Sequence, residues 1–232
     1  MIPVNCDTTA RKNHLSKDAA SLQSRYFNQV RYRGAFDPVV SAYAEPKLEF
    51  IRRHAPTEGQ ILDVGCGNGI FTARFAAAGA SVIGVDLSPH LLDQNPHRRL
   101  TVGDATALPF GGGAFDMVFE ANLLHHVSAR ERVISEMRRV SRRYIVLLEP
   151  NRYNPVMLAF SLLVREERGV LKSSAKSLEK DLRRCGLRVV SSLTTGMISQ
   201  NNTPTALIPL LRIFDRQIWW GEYVVIVAEK IG

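Results

Sequence analysis

The sequence predicts a doubly wound α/β domain on a mostly parallel seven-stranded sheet. From Gln60 onward, short apolar runs alternate with helical stretches, the pattern of parallel strands joined by crossover helices. The first run passes directly into a turn with three glycines, Ile61-Leu62-Asp63-Val64-Gly65-Cys66-Gly67-Asn68-Gly69. The second run, Val82-Ile83-Gly84-Val85-Asp86, ends on an acid.

Taken in order, residues 15–31 read as a helix with Ser16 or a neighbour as its cap, and 31–38 as a loop. Residues 39–54 carry Val40, Tyr43, Leu48 and Ile51 at helical spacing. Pro46 there either starts a new helix or kinks an older one. Strand one is Gln60–Val64, followed by a helix over 70–78 that Gly79 stops. Strand two is Ser81–Asp86, and residues 89–94 leave room for about two helical turns before Pro96. Strands over 100–103 and 115–120 follow, then a helix over Arg130–Val140. The fifth strand, 144–148, ends by Pro150, which cannot donate to a ladder. Residues 153–169 read as an apolar helix and 174–185 as another, stopped by Gly186. Strands over 187–193 and 223–229 complete the sheet. Residues 194–221, with Trp219-Trp220, read as a long loop with helical turns over one side of a pocket.

A chain of 232 residues with 45% hydrophobic content suits one domain with a full core. The expected division is a helical segment over 1–55, a half carrying the glycine turn over 56–150 and a second half over 151–232. No apolar run approaches the roughly 20 residues of a membrane span; the longest, 156–164, is interrupted by Ser161. The first twenty residues lack the apolar stretch of a signal peptide. Cys6, Cys66 and Cys185 are too scattered for a disulfide framework or a metal site. The expectation is a cytoplasmic protein with reduced thiols. The net charge is +8. Its basic residues sit as doublets, Arg138-Arg139, Arg142-Arg143 and Arg183-Arg184, without interleaved aromatics. They read as solvated faces, with an anionic acceptor as the other reading and nucleic acid not expected.

The glycine turn alone suits two nucleotide chemistries, since both place the ligand at the carboxyl edge of a parallel sheet where strand order reverses. Asp86 serves the ribose hydroxyls in either. The spacing, however, is Gly-x-Gly-x-Gly, not the Gly-x-Gly-x-x-Gly of dinucleotide sites. Asp63, two residues before Gly65, is placed to bind a cationic amino group and would repel a pyrophosphate. Gly103-Asp104-Ala105 follows strand three.

This set resembles the class I S-adenosylmethionine-dependent methyltransferases, over roughly residues 60–151. The resemblance implies a Rossmann-like fold with an N-terminal helical lid over 1–55, a cofactor half over 56–150 and an acceptor half over 151–232. It implies S-adenosyl-L-methionine as cofactor, S-adenosyl-L-homocysteine as product and a small-molecule acceptor, oxygen first among its atoms. It also implies roles. Gly65 and Gly67, with Cys66 as the small side chain between them, let the backbone approach the methionine portion. Asp63 meets its ammonium group. Asp86 takes the ribose hydroxyls, Leu87 packs on the adenine, Asp104 accepts from its exocyclic amine, and the Ala105 N–H reaches a ring nitrogen. Glu120 offers its backbone carbonyl to the amino group. Asn68 stands where relatives often carry Thr or Ser, and the short segment after Asp86 departs from their longer helix.

His125 and His126 follow strand four, where the methyl group would lie. Imidazole can take a proton at neutral pH. His126 fits the relatives' more usual position for a base; the other reading is that the pair shapes the pocket. Glu149-Pro150-Asn151 lacks the acids that would complete an octahedral oxygen site, so no metal is expected. Tyr26, Arg31 and Tyr32 belong to the expected lid. Met157, Phe160, Leu162, Leu163, Trp219 and Trp220 read either as core or as an apolar acceptor pocket. N- or C-methylation, an RNA methyltransferase, a non-catalytic cofactor-binding protein and an NAD enzyme are the alternatives.

Overall fold

The structure, a computed structural model, describes residues 32–231. The helix expected over 15–31, with Tyr26 and Arg31, lies outside the described residues.

Seven strands form one sheet: β1 (Gln60–Val64), β2 (Ser81–Asp86), β3 (Leu100–Val102), β4 (Phe115–Ala121), β5 (Ser141–Pro150), β6 (Leu187–Thr195) and β7 (Tyr223–Lys230). Their order is β3-β2-β1-β4-β5-β7-β6. β3 to β5 run parallel, whereas β7 is antiparallel to both β5 and β6. The carboxyl ends of β1, β2, β4 and β5 therefore share one edge. Strand order reverses between β1 and β4, the usual place for a ligand in such a sheet.

The strands read as apolar runs because both faces are covered. Met117 and Phe119 of β4 enter one core cluster with Val39, Tyr43, Phe71, Phe75 and Val225. Val118, between them, enters the other with Leu62, Val64, Ile134, Met137, Leu178 and Ile226. Each fully buried side chain of this size contributes about 1.5–3 kcal/mol. Helix α1 (Pro38–His54) begins on Asp37, whose side chain accepts the Val39 N–H at 2.8 Å. It buries Val39, Val40, Tyr43, Leu48 and Ile51, and Pro46 lies inside it without ending it. Helices α2 (Ile70–Ala77), α3 (Pro89–Asp93) and α4 (Arg130–Val140) follow β1, β2 and β4.

Two boundaries differ from the sequence reading. β5 begins at Ser141, which pairs with Phe115 of β4; exposed Arg142 and Arg143 fall in an irregularity before the ladder resumes at Tyr144, and their side chains pair with Asp116 and Glu229. The helix expected over 153–169 is two elements. Helix α5 (Pro155–Leu163) ends at extended Val164, and a 3-10 segment covers Arg165–Lys172. The break lets Glu167 and Val170 turn inward. Helix α6 (Ala175–Arg184) then starts on a capping box of Ser174 and Ser177.

α5 buries only Ser161. Leu162, Leu163 and Trp219 are exposed, so the core reading fails for them. Met157, Phe160 and Trp220 are half-buried, and Trp220 packs on Phe214. The arginine doublets are solvated surface, paired in part with Glu136, Glu179 and Glu131. Among the described residues, no helix is long and apolar enough to cross a membrane.

Candidate functional site

The glycine turn joins β1 to α2. Gly65, Gly67 and Gly69 have φ of 70°, 49° and 84°, a region that disfavours a Cβ. A Cβ on Gly69 would stand 2.1 Å from Asn95 Oδ1. Asn95 in turn donates to the Gly67 carbonyl at 3.2 Å. Asn68 Nδ2 donates to the Arg33 carbonyl at 3.1 Å, so the segment before α1 meets the turn. Cys66 is buried against Gly84, and burial pushes its thiol up, toward the neutral form.

Asp86 ends β2 beside this turn. Its Oδ2 accepts the Gly67 N–H at 2.9 Å and its Oδ1 accepts the Ser88 N–H at 2.8 Å. Each oxygen keeps a second lone pair. Burial raises its pKa, against the pull of these backbone donors. Leu87, next in sequence, is 58% exposed. Asp104, after β3, is exposed and accepts the Thr106 N–H and hydroxyl on Oδ1 at 2.7 and 2.8 Å. Ala105 beside it is half-buried.

Asp63 points into the core. It is 3% exposed, and its Oδ2 accepts the Thr72 hydroxyl at 2.5 Å. Burial pushes its pKa up to about 7, with the Thr72 hydroxyl pulling the other way.

β4 and β5 carry the second half of the site. Asn122, just past β4, has a φ of 55°, unusual for a side-chain-bearing residue. It donates to the Tyr43 hydroxyl at 3.1 Å. The 3-10 turn Leu124–His126 follows. Glu149, at the end of β5, accepts the Leu124 N–H at 2.8 Å, the His125 N–H at 3.1 Å and His125 Nδ1 at 2.8 Å. His125 Nε2 lies 3.4 Å from Glu167 Oε2. Burial works against charging His125, but Glu149 and then Glu167 overcome it and raise its pKa to about 9. His126 is held down at about 4 by burial and by the charge on His125. Its Nδ1 meets the Glu166 carbonyl at 3.3 Å. Glu120 is buried beside Glu149; burial and then that charge push it well above the carboxylate range. Its Oε2 accepts the Leu123 N–H at 3.2 Å.

The fold thus gathers Gly65, Cys66, Gly67, Asp86 and Leu87 at the tips of β1 and β2, and Glu120, His125 and His126 at the tip of β4. Asp104 and Ala105 stand after β3. Tyr32 is half-buried. Of the residues after β5, Asn151 donates to the Trp219 and Gly221 carbonyls at 3.0 and 2.9 Å, a structural tie to the long loop. Sequence reasoning missed Thr72, nine residues after its partner Asp63, and Asn95 and Glu167, whose partners are distant in the chain. It named Glu149 without foreseeing that it clamps His125.

A sequence model of the methyltransferase-domain family matches residues 62–145. Those residues are a methyltransferase domain. An uncharacterized methyltransferase of Mycobacterium sp. (strain JLS) is 30% identical over 140 residues, 57% of this chain and 56% of that protein. A ubiquinone biosynthesis O-methyltransferase of Chromobacterium violaceum is 39% identical over 101 residues, 38% of this chain and 42% of that one. The chain spans about half the length of the curated relatives it matches. A methyltransferase of Thermotoga maritima, described as a possible histamine N-methyltransferase, superposes with a TM-score of 0.62 at 16% identity, over 95% of this chain and 97% of that one. The magnesium protoporphyrin IX methyltransferase of Synechocystis PCC 6803, solved with S-adenosylhomocysteine, gives 0.55 at 16% identity, over 97% and 100%. At such identities the likeness shows the fold, which is that of S-adenosylmethionine-dependent methyltransferases. The resemblance in the methyltransferase domain's motifs and the expected sheet are both borne out.

Proposed function

We propose that the protein transfers the methyl group of S-adenosylmethionine to a small-molecule acceptor, at an oxygen atom. The observation that carries this reading is the pairing of the glycine turn with Asp86 at the point where strand order reverses. Asp86 is already oriented by two backbone N–H groups, and its remaining lone pairs suit a ribose diol. Leu87 offers an apolar surface to the adenine, Asp104 Oδ2 an acceptor for its amine, and the Ala105 N–H a donor. The Gly65–Gly67 backbone and the Glu120 carbonyl take the methionine end. Asp63 supports the turn from beneath, through its hydrogen bond with Thr72.

The acceptor belongs at the Leu124–His126 turn. Glu166 offers His126 Nδ1 a carbonyl, which accepts only, so Nδ1 carries the proton and Nε2 a lone pair. His126 Nε2 is placed to take the acceptor's hydroxyl hydrogen; bound S-adenosylmethionine would supply the methyl group to that oxygen in line, with S-adenosylhomocysteine as the leaving group. His125, clamped between two carboxylates, positions its neighbour. Oxygen is supported by relatives named as O-methyltransferases, in ubiquinone biosynthesis and acting on a malonyl-acyl carrier protein.

Calorimetry with S-adenosylhomocysteine against NAD tests the cofactor, and methyl transfer from labelled S-adenosylmethionine to a panel of hydroxyl acceptors tests the reaction. Saturable binding of the first ligand alone is expected. No binding at millimolar supply overturns the reading.

A further inference from the structure

The 3-10 turn Leu124–His126 and the 3-10 segment Arg165–Lys172 pack on one another, and the contact brings three potential ligand atoms together. His125, His126 and Glu167 each offer one, and all lie within 4.8 Å of one another. We propose that His125 Nε2, His126 Nε2 and a Glu167 oxygen bind a divalent transition-metal ion of the zinc type.

The outer nitrogens determine which atoms can ligate. A metal-binding histidine commonly donates its other ring N–H to a carboxylate or a backbone carbonyl, which fixes the tautomer and aims the ligand nitrogen. Both arrangements are present. His125 Nδ1 meets Glu149 Oε2 at 2.8 Å, and His126 Nδ1 meets the Glu166 carbonyl at 3.3 Å. Both partners accept, so both protons sit on Nδ1 and both Nε2 atoms are directed to the cluster. Glu149 is itself held by the backbone N–H groups of Leu124 and His125.

The spacing agrees. Zinc bonds to imidazole and carboxylate are about 2.0–2.2 Å, so neighbouring ligand atoms of a tetrahedral site stand about 3.3–3.5 Å apart. His125 Nε2 and Glu167 Oε2 are 3.4 Å apart. All the separations in the set lie within 4.8 Å, so the wider ones must draw in for a tetrahedral ion. Two imidazoles and one carboxylate form a donor set suited to zinc and its neighbours rather than to calcium or magnesium. Three protein ligands leave at least one position for water.

The proton balance is simple. Without the ion, a proton on His125 Nε2 faces Glu167; with it, the ion replaces that proton, which passes to solvent. An ion and an acceptor hydroxyl on His126 Nε2 exclude one another, so the loaded and metal-free forms are distinct states of one turn. The cluster alone defines the site, whether or not methyl transfer is the reaction.

The test uses tag-free full-length protein, stripped with a chelator and titrated with Co²⁺, then with Zn²⁺ in competition. One equivalent of Co²⁺ should bind with a visible d–d band, and Zn²⁺ should displace it. Glu149→Gln should weaken Co²⁺ binding roughly 10–100-fold. Glu167→Gln and His126→Ala should abolish the one-to-one site. Near-ultraviolet circular dichroism checks that each variant is folded; should Glu149→Gln unfold, the other two decide. No Co²⁺ uptake at micromolar free metal, or equal binding by folded Glu167→Gln and His126→Ala, overturns the proposal.

Discussion

A Cβ on Gly169 would stand 1.6 Å from the carbonyl oxygen of His125, so the two 3-10 segments meet backbone to backbone. Gly169→Ala should therefore cost at least about 1–3 kcal/mol, the range for overpacking. Gly111→Ala, where a Cβ meets nothing within 4 Å, should stay within about 0.5 kcal/mol. Urea denaturation of both variants measures the contrast. Equal stabilities would mean that the segments do not meet as described.

Asp86→Ala should weaken S-adenosylhomocysteine binding by about 1–3 kcal/mol, the cost of a lost buried acceptor. Its partners are the turn itself, through Gly67, and the cap of α3, through Ser88. Isothermal calorimetry reads the change; an unaltered dissociation constant would remove the ribose from this position.

Asp63 gives a pH signature. Burial lifts its pKa from 3.8 to about 7. At pH below the lower value, folded and unfolded chains both hold the proton. As pH rises toward the higher value, the unfolded chain has released the proton while the folded one retains it. The contribution of Asp63 to stability, complete in acid, is thus lost progressively and is smallest above pH 7. A tenfold difference in proton affinity between the folded and unfolded chain is worth about 1.4 kcal/mol. The stability of the parent minus that of Asp63→Asn should decline between pH 4 and 8. A flat or rising difference would show that the carboxyl is not held in this environment.

Lys47 is 1% exposed, its ammonium over the Tyr43 and Tyr223 rings at 4.2 and 4.8 Å. Burial lowers its pKa to about 8 against the opposing charges of Glu222 and Asp215. Lys47→Met removes the cation whose charge holds down the pKa of buried Glu222 and should destabilise the chain. Adding Glu222→Gln should recover much of that loss. A thermal-unfolding double-mutant cycle checks the coupling; additive effects would show that the pair does not interact.

The sheet was legible because its signals are local. β1 and β2 fall on the residues expected, each an apolar run closed by glycine or an acid, and α4 has three clear apolar positions per two turns. The glycines could be found because their spacing is fixed within one strand–turn–helix unit, and Asp86 because it closes the next apolar run. Asn95 against Gly69 and Glu167 beside His125 depend on which elements pack together, and no local pattern encodes that; Thr72 lies in the same unit as Asp63 but carries no distinctive spacing. α5 shows the converse. Its composition is that of a core helix, yet Val156, Leu158, Leu162 and Leu163 remain exposed, because composition does not say which face has a partner.

The position of β7 has a consequence for synthesis. It is the last strand in chain order yet it lies between β5 and β6, hydrogen-bonded to both. A nascent chain that has left the ribosome only as far as Gly221 therefore exposes two unpaired ladders, a template for intermolecular pairing. Neither ladder can be completed before residues 223–230 are released.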